Sequence, residues 1–595
     1  MILQALYEYA QRKGDALPED GFENIELKYL IRIKEDGSLV RIESTEEKIK
    51  QENGKDKSVW KTFNKVPKHV ARTAAPKASL LIDNVGYVLG IPKVEKDEKK
   101  IKKAEESAKI QNELFIKAIE DLPENVRQEK EINAVIKFYR DNKENGFDKI
   151  ILAENYEELK KCLGNISFVL LGNSDIVAQN EKVREYQRQQ TALQFESSDD
   201  DSEKNISTCL ITGEKALISR LHSATAIRNS QATAPLVGFN NQAFDSYGKK
   251  QSFNAPVSLK AESAYTKALK HLIKSDKNKI LLGPDTVVFW AEKENSDYSL
   301  EDNFGSFFAL QYEDDPDKSV NEIKNLFDSI KTGKISKIDS NFYVLGLSPN
   351  SGRISVRFWE TGKVSEFANR IKQHFDDFNI VHADFERDYL NLFQILSATA
   401  LEHKMDNVAP NLIGNMMQSI LKGLPYPQTL QQQCIRRIRA EQKVTRERAA
   451  ILKAYINRIN RINGKEEVTV SLNRECKDKG YLIGRLFAVL EKVQQDTHPG
   501  LNATITDRYY GAASTNPITV FAQLLKLNQH HLANYENKGL KIIREKEIGE
   551  IMNMIESFPS HLTLNEQSMF AIGYYHEKQS FFEKKETENS TEENK

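Results

Sequence analysis

The hydrophobic pattern changes period along this chain. Up to about residue 400, short apolar runs punctuated by turn residues alternate with helical stripes, and beyond it the spacing is helical throughout. That change predicts an α+β, multi-domain protein, with a mixed α/β N-terminal and central region and a C-terminal helical bundle. At 595 residues and 68.0 kDa the chain is longer than one hydrophobic core usually organises. The expected segments are 1–200 and 201–400, both α+β, a bundle over 401–582 and a disordered tail over 583–595.

Local signals support this order. Leu3, Leu6, Tyr7 and Ala10 stand at helical spacing. Tyr29–Ile33 and Leu39–Ile42 flank Asp36-Gly37, a turn pair that favours a hairpin. Residues 93–106 carry six positive and five negative side chains, which predicts an exposed insertion or a solvated helix. Residues 196–204 are acidic and polar, and read as a mobile loop between folded segments. Two strands about Pro349-Asn-Ser-Gly352 precede a helix over Glu366–Phe375. Alternation puts Ile354, Val356 and Phe358 on one face of the second strand and Arg353 and Arg357 on the other. Leu482, Leu486, Val489, Leu490 and Val493 form one bundle stripe, and Thr563-Leu-Asn-Glu566 is a capping box opening the last helix.

Composition excludes several functions. No run of about 18 apolar residues is present and the start lacks a basic leader with an apolar core, so a cytoplasmic chain without membrane contact is expected. Cys162, Cys209, Cys434 and Cys476 are far apart, which disfavours a metal knuckle or a disulfide framework. No phosphate-binding loop or nucleophile elbow occurs. His530 and His531, adjacent on a helix, point about 100° apart, and His382-Ala-Asp384 has no convincing metal spacing. The reading is therefore a binding protein without catalytic residues, metal or cofactor.

Net charge is −1, from 85 Lys+Arg against 86 Asp+Glu, but the charges are unevenly placed. Ile435–Arg461 reads as one long helix with nine basic and two acidic residues, a local net charge of +7. Arg436, Arg439, Lys443, Arg446 and Lys453 recur at steps that put them on one face, with Arg437 beside them, and such a face can follow a phosphate backbone. The competing reading is a solvated helix face, although those usually mix signs.

Residues 209–256 hold the most unusual text: Cys209-Leu-Ile-Thr-Gly213-Glu214, Ile227-Arg228-Asn-Ser-Gln231, and Phe239-Asn-Asn-Gln-Ala-Phe244-Asp-Ser-Tyr-Gly-Lys-Lys-Gln251 followed by Asn254-Ala-Pro256. Amides bond base edges, lysines meet phosphates and aromatics stack, so such loops suit close approach to a polymer. A well-bonded loop packed on a core explains the same residues. Together with Met1-Ile-Leu-Gln-Ala-Leu6, Val287-Val-Phe-Trp290, Arg353-Ile-Ser-Val-Arg-Phe358, Gly484-Arg-Leu-Phe-Ala488, Asp507-Arg-Tyr-Tyr-Gly-Ala-Ala513 and Gly573-Tyr-Tyr-His576, this text resembles the large subunit of the type I-C CRISPR Cascade surveillance complex over nearly the whole chain.

The resemblance implies a subunit near the guide RNA's 5′ end that recognises the protospacer-adjacent motif of double-stranded target DNA, helps open the duplex and recruits a helicase-nuclease, which does the cutting. Implied partners are the guide RNA, the target and displaced strands, and the Cascade backbone, guide-processing and small helical subunits. In the family the small subunit is often an internal product of the same gene. Here no Met lies between Met417 and Met552, so a product of that size needs a non-AUG start.

Candidates for motif reading are Lys68, His69 and Arg72 with Asn240, Asn241, Lys249, Lys250, Gln251 and Asn254. Asn240, Asn241 and Asn254 can equally cap turns beside Pro256. Arg228, Arg353 and Arg357 are candidates for guide or target backbone, or for neighbouring subunits. Arg436, Arg437, Arg439, Lys443, Arg446 and Lys453 are candidates for the displaced strand, because that grip need not discriminate bases. The alternative is a structural scaffold that touches no DNA.

Overall fold

The computed structural model describes residues 1–50, 56–70, 76–95, 97–145, 150, 156–162, 164–196, 205–239, 241–296, 298–308 and 316–582. The acidic loop from 197 and the tail from 583 lie outside the described residues. The fold is α+β, with several small sheets and a helical C-terminal region. It divides into two compact units, one of Met1–His271 with Asn350–Ile354, the other of Leu272–Pro349 with the chain from Ser355 onward.

The first unit opens on a helix, Ile2–Lys13, that buries Ala5, Leu6 and Tyr9. The inward face is therefore set by Leu6 with Ala5 and Tyr9, while Leu3, Tyr7 and Ala10 are only half-buried. Strands β1 (Phe22–Ile33), β2 (Leu39–Ser44), β5 (Thr62–Pro67), β6 (Ile82–Asn84) and β7 (Asn165–Leu170) form a five-stranded sheet. Its backbone is β1, antiparallel to β2 and parallel to β7, and the Asp36-Gly37 hairpin is present. Strands β3 (Glu46–Lys50) and β4 (Asp56–Trp60) pair separately. The Lys/Glu-rich stretch continues into a helix, Glu98–Glu120, which buries only Ala108, Asn112, Phe115 and Ile119, so its first turns are solvated. Strands β8 (Ile206–Thr208) and β9 (Lys215–Leu217) form a short ribbon ahead of the amide-rich loop.

In the second unit, β10 (Lys279–Leu282), β11 (Asp285–Ala291), β12 (Asn341–Asn350) and β13 (Arg353–Lys363) form a sheet in sequence order. The helix Val364–Phe378 follows, as the β-β-α pattern predicts. Ile354 and Phe358 are buried but Val356 is 45% exposed, because the strand's apolar face is only partly covered. The bundle centres on two helices, Lys479–Thr497 and Leu564–Ser580, the second entered through the Thr563–Glu566 capping box. Every predicted stripe residue of the first helix is buried.

These two helices approach backbone to backbone. A Cβ on Gly484 would lie 2.0 Å from the Phe570 carbonyl oxygen, and one on Gly573 would lie 2.2 Å from that of Tyr481. The Gly484 and Gly573 motifs thus serve helix packing, and Tyr510 of the Asp507 motif packs its ring against Phe487, Phe570 and Tyr574. Gly484→Ala is expected to cost about 1–3 kcal/mol through overpacking, measurable as a lowered urea midpoint, whereas Gly511→Ala, with open space around its Cβ, is expected to be close to neutral. Equal midpoints for the two variants would refute the close-packing argument.

Candidate nucleic-acid interface

In the first unit the Thr212-Gly-Glu214 motif is a tight turn that fastens the far end of the amide-rich loop. Gly213 N donates to the Cys209 carbonyl and Cys209 N to that of Glu214, both at 2.9 Å. Leu210 N donates to the Pro256 carbonyl, also at 2.9 Å, and buried Cys209 accepts from Ser258 N at 3.3 Å. The segment 241–254 projects from this fastening. Residues 241–250 are all exposed.

Its outer part is a two-residue turn. Lys249 N donates to the Ser246 carbonyl at 2.9 Å, with Tyr247 at φ 51° and Gly248 at φ 71° between them. Positive φ at both central positions is the primed hairpin geometry; Gly248 meets it freely, while a side chain there costs about 1–2 kcal/mol. Tyr247 is nevertheless the residue at the tip, and it is 100% exposed. Asn254 clamps the base of the turn: its Oδ1 accepts from Ser246 N at 3.0 Å and its Nδ2 donates to the carbonyls of Lys249 and Gln251, each at 2.9 Å. Asn241 caps the short turn Gln242–Phe244 by accepting from Ala243 N. Gln251 accepts from Arg220 at 2.9 Å. Asn241, Gln251 and Asn254 therefore organise the loop, and Lys249 and Lys250 are its exposed cations. Asn240 lies outside the described residues.

Arg353, in the Asn350–Ile354 segment that belongs to this unit, flanks the loop. Arg353 stacks over the Phe244 ring at 4.6 Å, and Phe239 meets the same ring edge-on at 6.3 Å between centroids. Gln231 N donates to the Ser351 carbonyl, so within the first unit the Asn350–Ile354 segment is fastened to the stretch carrying exposed Arg228. Arg357 belongs to the second unit, where its Nε lies 4.0 Å from Asp285.

Lys68 and His69 are half-buried. Lys68 Nζ donates to Ser223 Oγ at 3.1 Å. The His69 backbone N and ring Nδ1 both lie 2.9 Å from Glu23 Oε1. Burial alone raises the Glu23 carboxyl, but the bonds from His69 outweigh it and bring the group down to about 2. His69 thus ties its segment to β1. Arg72 lies outside the described residues.

The structure corrects the single basic helix of the second unit. The chain forms two helices, Gln428–Glu441 and Arg446–Ile462, broken at Gln442, whose φ is 51°. The break disrupts the common face. Arg436, Arg439 and Lys443 are exposed, and Arg437 is half-buried with Glu441 at 3.6 Å. Arg446 and Lys453, expected on the same phosphate-facing surface, are buried. Arg446 donates to the Asp388 carbonyl at 3.2 Å, and Lys453 Nζ to that of Asp377 at 3.1 Å. Burial brings the Lys453 ammonium down to about 8. Arg448 and Arg458 are buried as well, against Glu441 and Asp377. Much of the +7 charge is therefore internal, satisfied by carbonyls and carboxylates. Elsewhere in this unit His531 packs on His498, at 5.1 Å between ring centroids, while His530 is exposed.

Sequence reasoning did not single out Arg220 or Tyr247. The Tyr-Gly dipeptide between polar residues was the available signal for the second, masked by the rarity of Tyr in a primed turn.

The fold and these surfaces define a multi-domain α+β protein with exposed basic side chains on each unit. The family described as CRISPR-associated protein (Cas_Csd1) matches residues 3–582. The chain accordingly belongs to the CRISPR-associated Csd1 family, the large subunits of type I-C Cascade. A comparison with curated proteins returned no match. No helix among the described residues is long and apolar enough to cross a membrane.

Proposed function

We propose that this Cascade subunit is the non-catalytic DNA-reading large subunit of type I-C surveillance. It recognises the protospacer-adjacent motif of target duplex DNA, aids opening of the duplex, stabilises the R-loop and recruits a helicase-nuclease that cuts. The observation that carries this reading is the clamped 241–254 turn, which holds Lys249 and Lys250 exposed, with Arg353 stacked on Phe244 of the same segment, in a chain of this family. A rigid loop with free cations can meet phosphates and lay its backbone against a groove without paying for ordering. The guide RNA supplies the remaining sequence recognition through base pairing.

The test is binding of the assembled complex to target duplexes with the flanking motif intact or exchanged. The wild-type complex is expected to prefer the intact motif, and the Lys249→Ala/Lys250→Ala complex to lose affinity for it. A complex that keeps its motif preference when this subunit is left out would instead support the scaffold reading.

Arg436, Arg439 and Lys443 are assigned to the displaced strand as a sequence-tolerant phosphate grip. Their triple Ala variant is expected to weaken DNA binding across sequences and to reduce the slope of log affinity against log salt by about 2, since each lost phosphate contact on a single strand contributes roughly 0.7. Filter binding over a salt series measures this, and an unchanged slope removes the assignment.

A further inference from the structure

The Lys/Glu-rich stretch, solvated on its outer faces, closes a cavity on its inner one. Between the short helix Val85–Leu89 and the long helix Glu98–Glu120 lies a space of about 540 Å³. That is within the range of about 300–1,000 Å³ typical of small-molecule sites. Its apolar walls include Val85, Ile91, Ala108 and Leu159, all buried.

The polar groups are sorted along it. Lys100, Lys103, Ser107 and Gln111 line the cavity and recur every three or four residues, so they form one stripe of the long helix. The outer end is cationic: Lys100 and Lys103, with Lys93 from the preceding segment, are exposed and carry no ion pair among the described residues. Lys160, also in the lining, is committed to Glu157 at 2.7 Å. Glu95, half-buried, is the acid among the described lining residues, while Glu98, Glu105 and Glu106 of the helix point elsewhere.

The inner end is an amide pair. Asn84 Oδ1 accepts from Gly86 N at 3.0 Å, which leaves its Nδ2 as a donor without a partner among the described residues. Gln111 Nε2 donates to Ser107 Oγ at 3.2 Å, which leaves its Oε1 as a free acceptor. Both amides meet at Gly86, where an added Cβ would lie 2.5 Å from Gln111 Oε1 and 3.2 Å from Asn84 Oδ1. Glycine is what leaves room between them.

A donor beside an acceptor complements the edge of a nucleobase, and apolar walls suit its faces. Lys103 precedes Gln111 by eight residues, about 12 Å along the helix axis. A nucleotide with several phosphates spans that distance, whereas inorganic phosphate reaches only the lysines. An anionic amphiphile would use the lysines and the apolar walls but would leave both amides unbonded.

We propose that this cavity binds a free nucleoside polyphosphate, with its base at Asn84, Gly86 and Gln111 and its phosphates at Lys93, Lys100 and Lys103. The site shares no residue with the 241–254 turn and does not rest on the DNA-reading role.

The test is isothermal titration of the full chain with ATP, GTP, CTP and UTP, with inorganic triphosphate, and with a short single-stranded RNA. At least one nucleoside triphosphate is expected to bind at a single site about tenfold or more tighter than inorganic triphosphate, which lacks the base contacts. Lys100→Ala/Lys103→Ala, at exposed positions, should weaken that nucleotide about tenfold or more by removing charge-assisted bonds to phosphate. Gln111→Leu should weaken it about three- to tenfold and leave inorganic triphosphate within about twofold of wild type.

The absence of saturable binding by all four nucleotides overturns the site. Inorganic triphosphate binding as tightly as the nucleotide would show a cluster for anions only and overturn it as well. So would nucleotide binding that neither variant changes, since the ligand would then sit elsewhere. RNA binding that falls in the lysine variant while no triphosphate binds would make the cavity a strand site and overturn the free nucleotide.

Discussion

Asp377→Ala is expected to destabilise the second unit by about 3–5 kcal/mol, the cost of breaking a buried ion pair from one side. The Asp377 carboxylate is fully buried. Its Oδ2 accepts from Arg458 Nε at 2.5 Å and from Tyr426 OH at 3.2 Å, and its Oδ1 accepts from Arg461 at 2.7 Å. The backbone carbonyl of the same residue holds Lys453. Without the carboxylate, Arg458 keeps hydrogen bonds to the carbonyls of Leu424 and Ser419, but neither it nor Lys453 has a buried counter-charge. Arg461 is less affected, because it also pairs with Glu467 at 2.7 Å. Hydrogen exchange of the Arg446–Ile462 helix with and without urea reads the loss, with exposed Arg436→Ala as a control expected within about 0.5 kcal/mol of wild type. A loss below about 1 kcal/mol for Asp377→Ala would mean that the network is not cooperative.

Acidification below pH 6.5 is expected to weaken the same unit before most carboxylates titrate. Burial pushes His374 down to about 3, with the Arg458 charge adding to the effect, and burial beside Lys453 does the same to His576. Both are bases whose folded pKa is depressed. The unfolded chain therefore binds more protons between about pH 3 and 6.5, and stability is full above 6.5 and lost as pH falls through that window. Each histidine contributes up to about 1.4 kcal/mol per pH unit. Burial raises Glu577, a shift that gains stability as pH falls and so offsets part of the histidine loss; the slope is read from pH 6.5 to about 5. Urea midpoints across that interval should fall steeply for the wild-type chain, and less steeply for His576→Gln, whose amide can still meet Tyr481 OH. Parallel slopes would show that His576 is not held neutral in the fold.

Both predictions concern residues whose role the sequence did not reveal. Arg446 and Lys453 stand at the same spacing as Arg436 and Lys443, and helical periodicity alone treats them as one set. The distinction arises at Gln442, where a left-handed residue ends one helix and re-aims the next. Four basic side chains then enter the interior, where carbonyls and Asp377 receive them. A buried carboxylate 81 positions away along the chain cannot be inferred from local charge.

The strand–turn–strand–helix over 341–378 and the Thr563 capping box were legible because alternation, turn chemistry and capping are local. In the candidate loop the density of Asn, Gly and Lys marked 241–254, but its residue types left two meanings open for each amide. The structure separates them: Asn254 spends its hydrogen-bonding groups on the loop itself, while Lys249 and Lys250 spend none within it that would withdraw them from solvent.

The α+β class, the change to helical periodicity, the family and the location of the amide-rich loop all follow from the order and spacing of residues along the chain. Tertiary structure alone decided which cations reach solvent, how Gly484 and Gly573 bring two helices together, and that Tyr247 is the bare ring of its turn. Those properties depend on which distant segment covers a residue, and coverage is a property of packing in three dimensions.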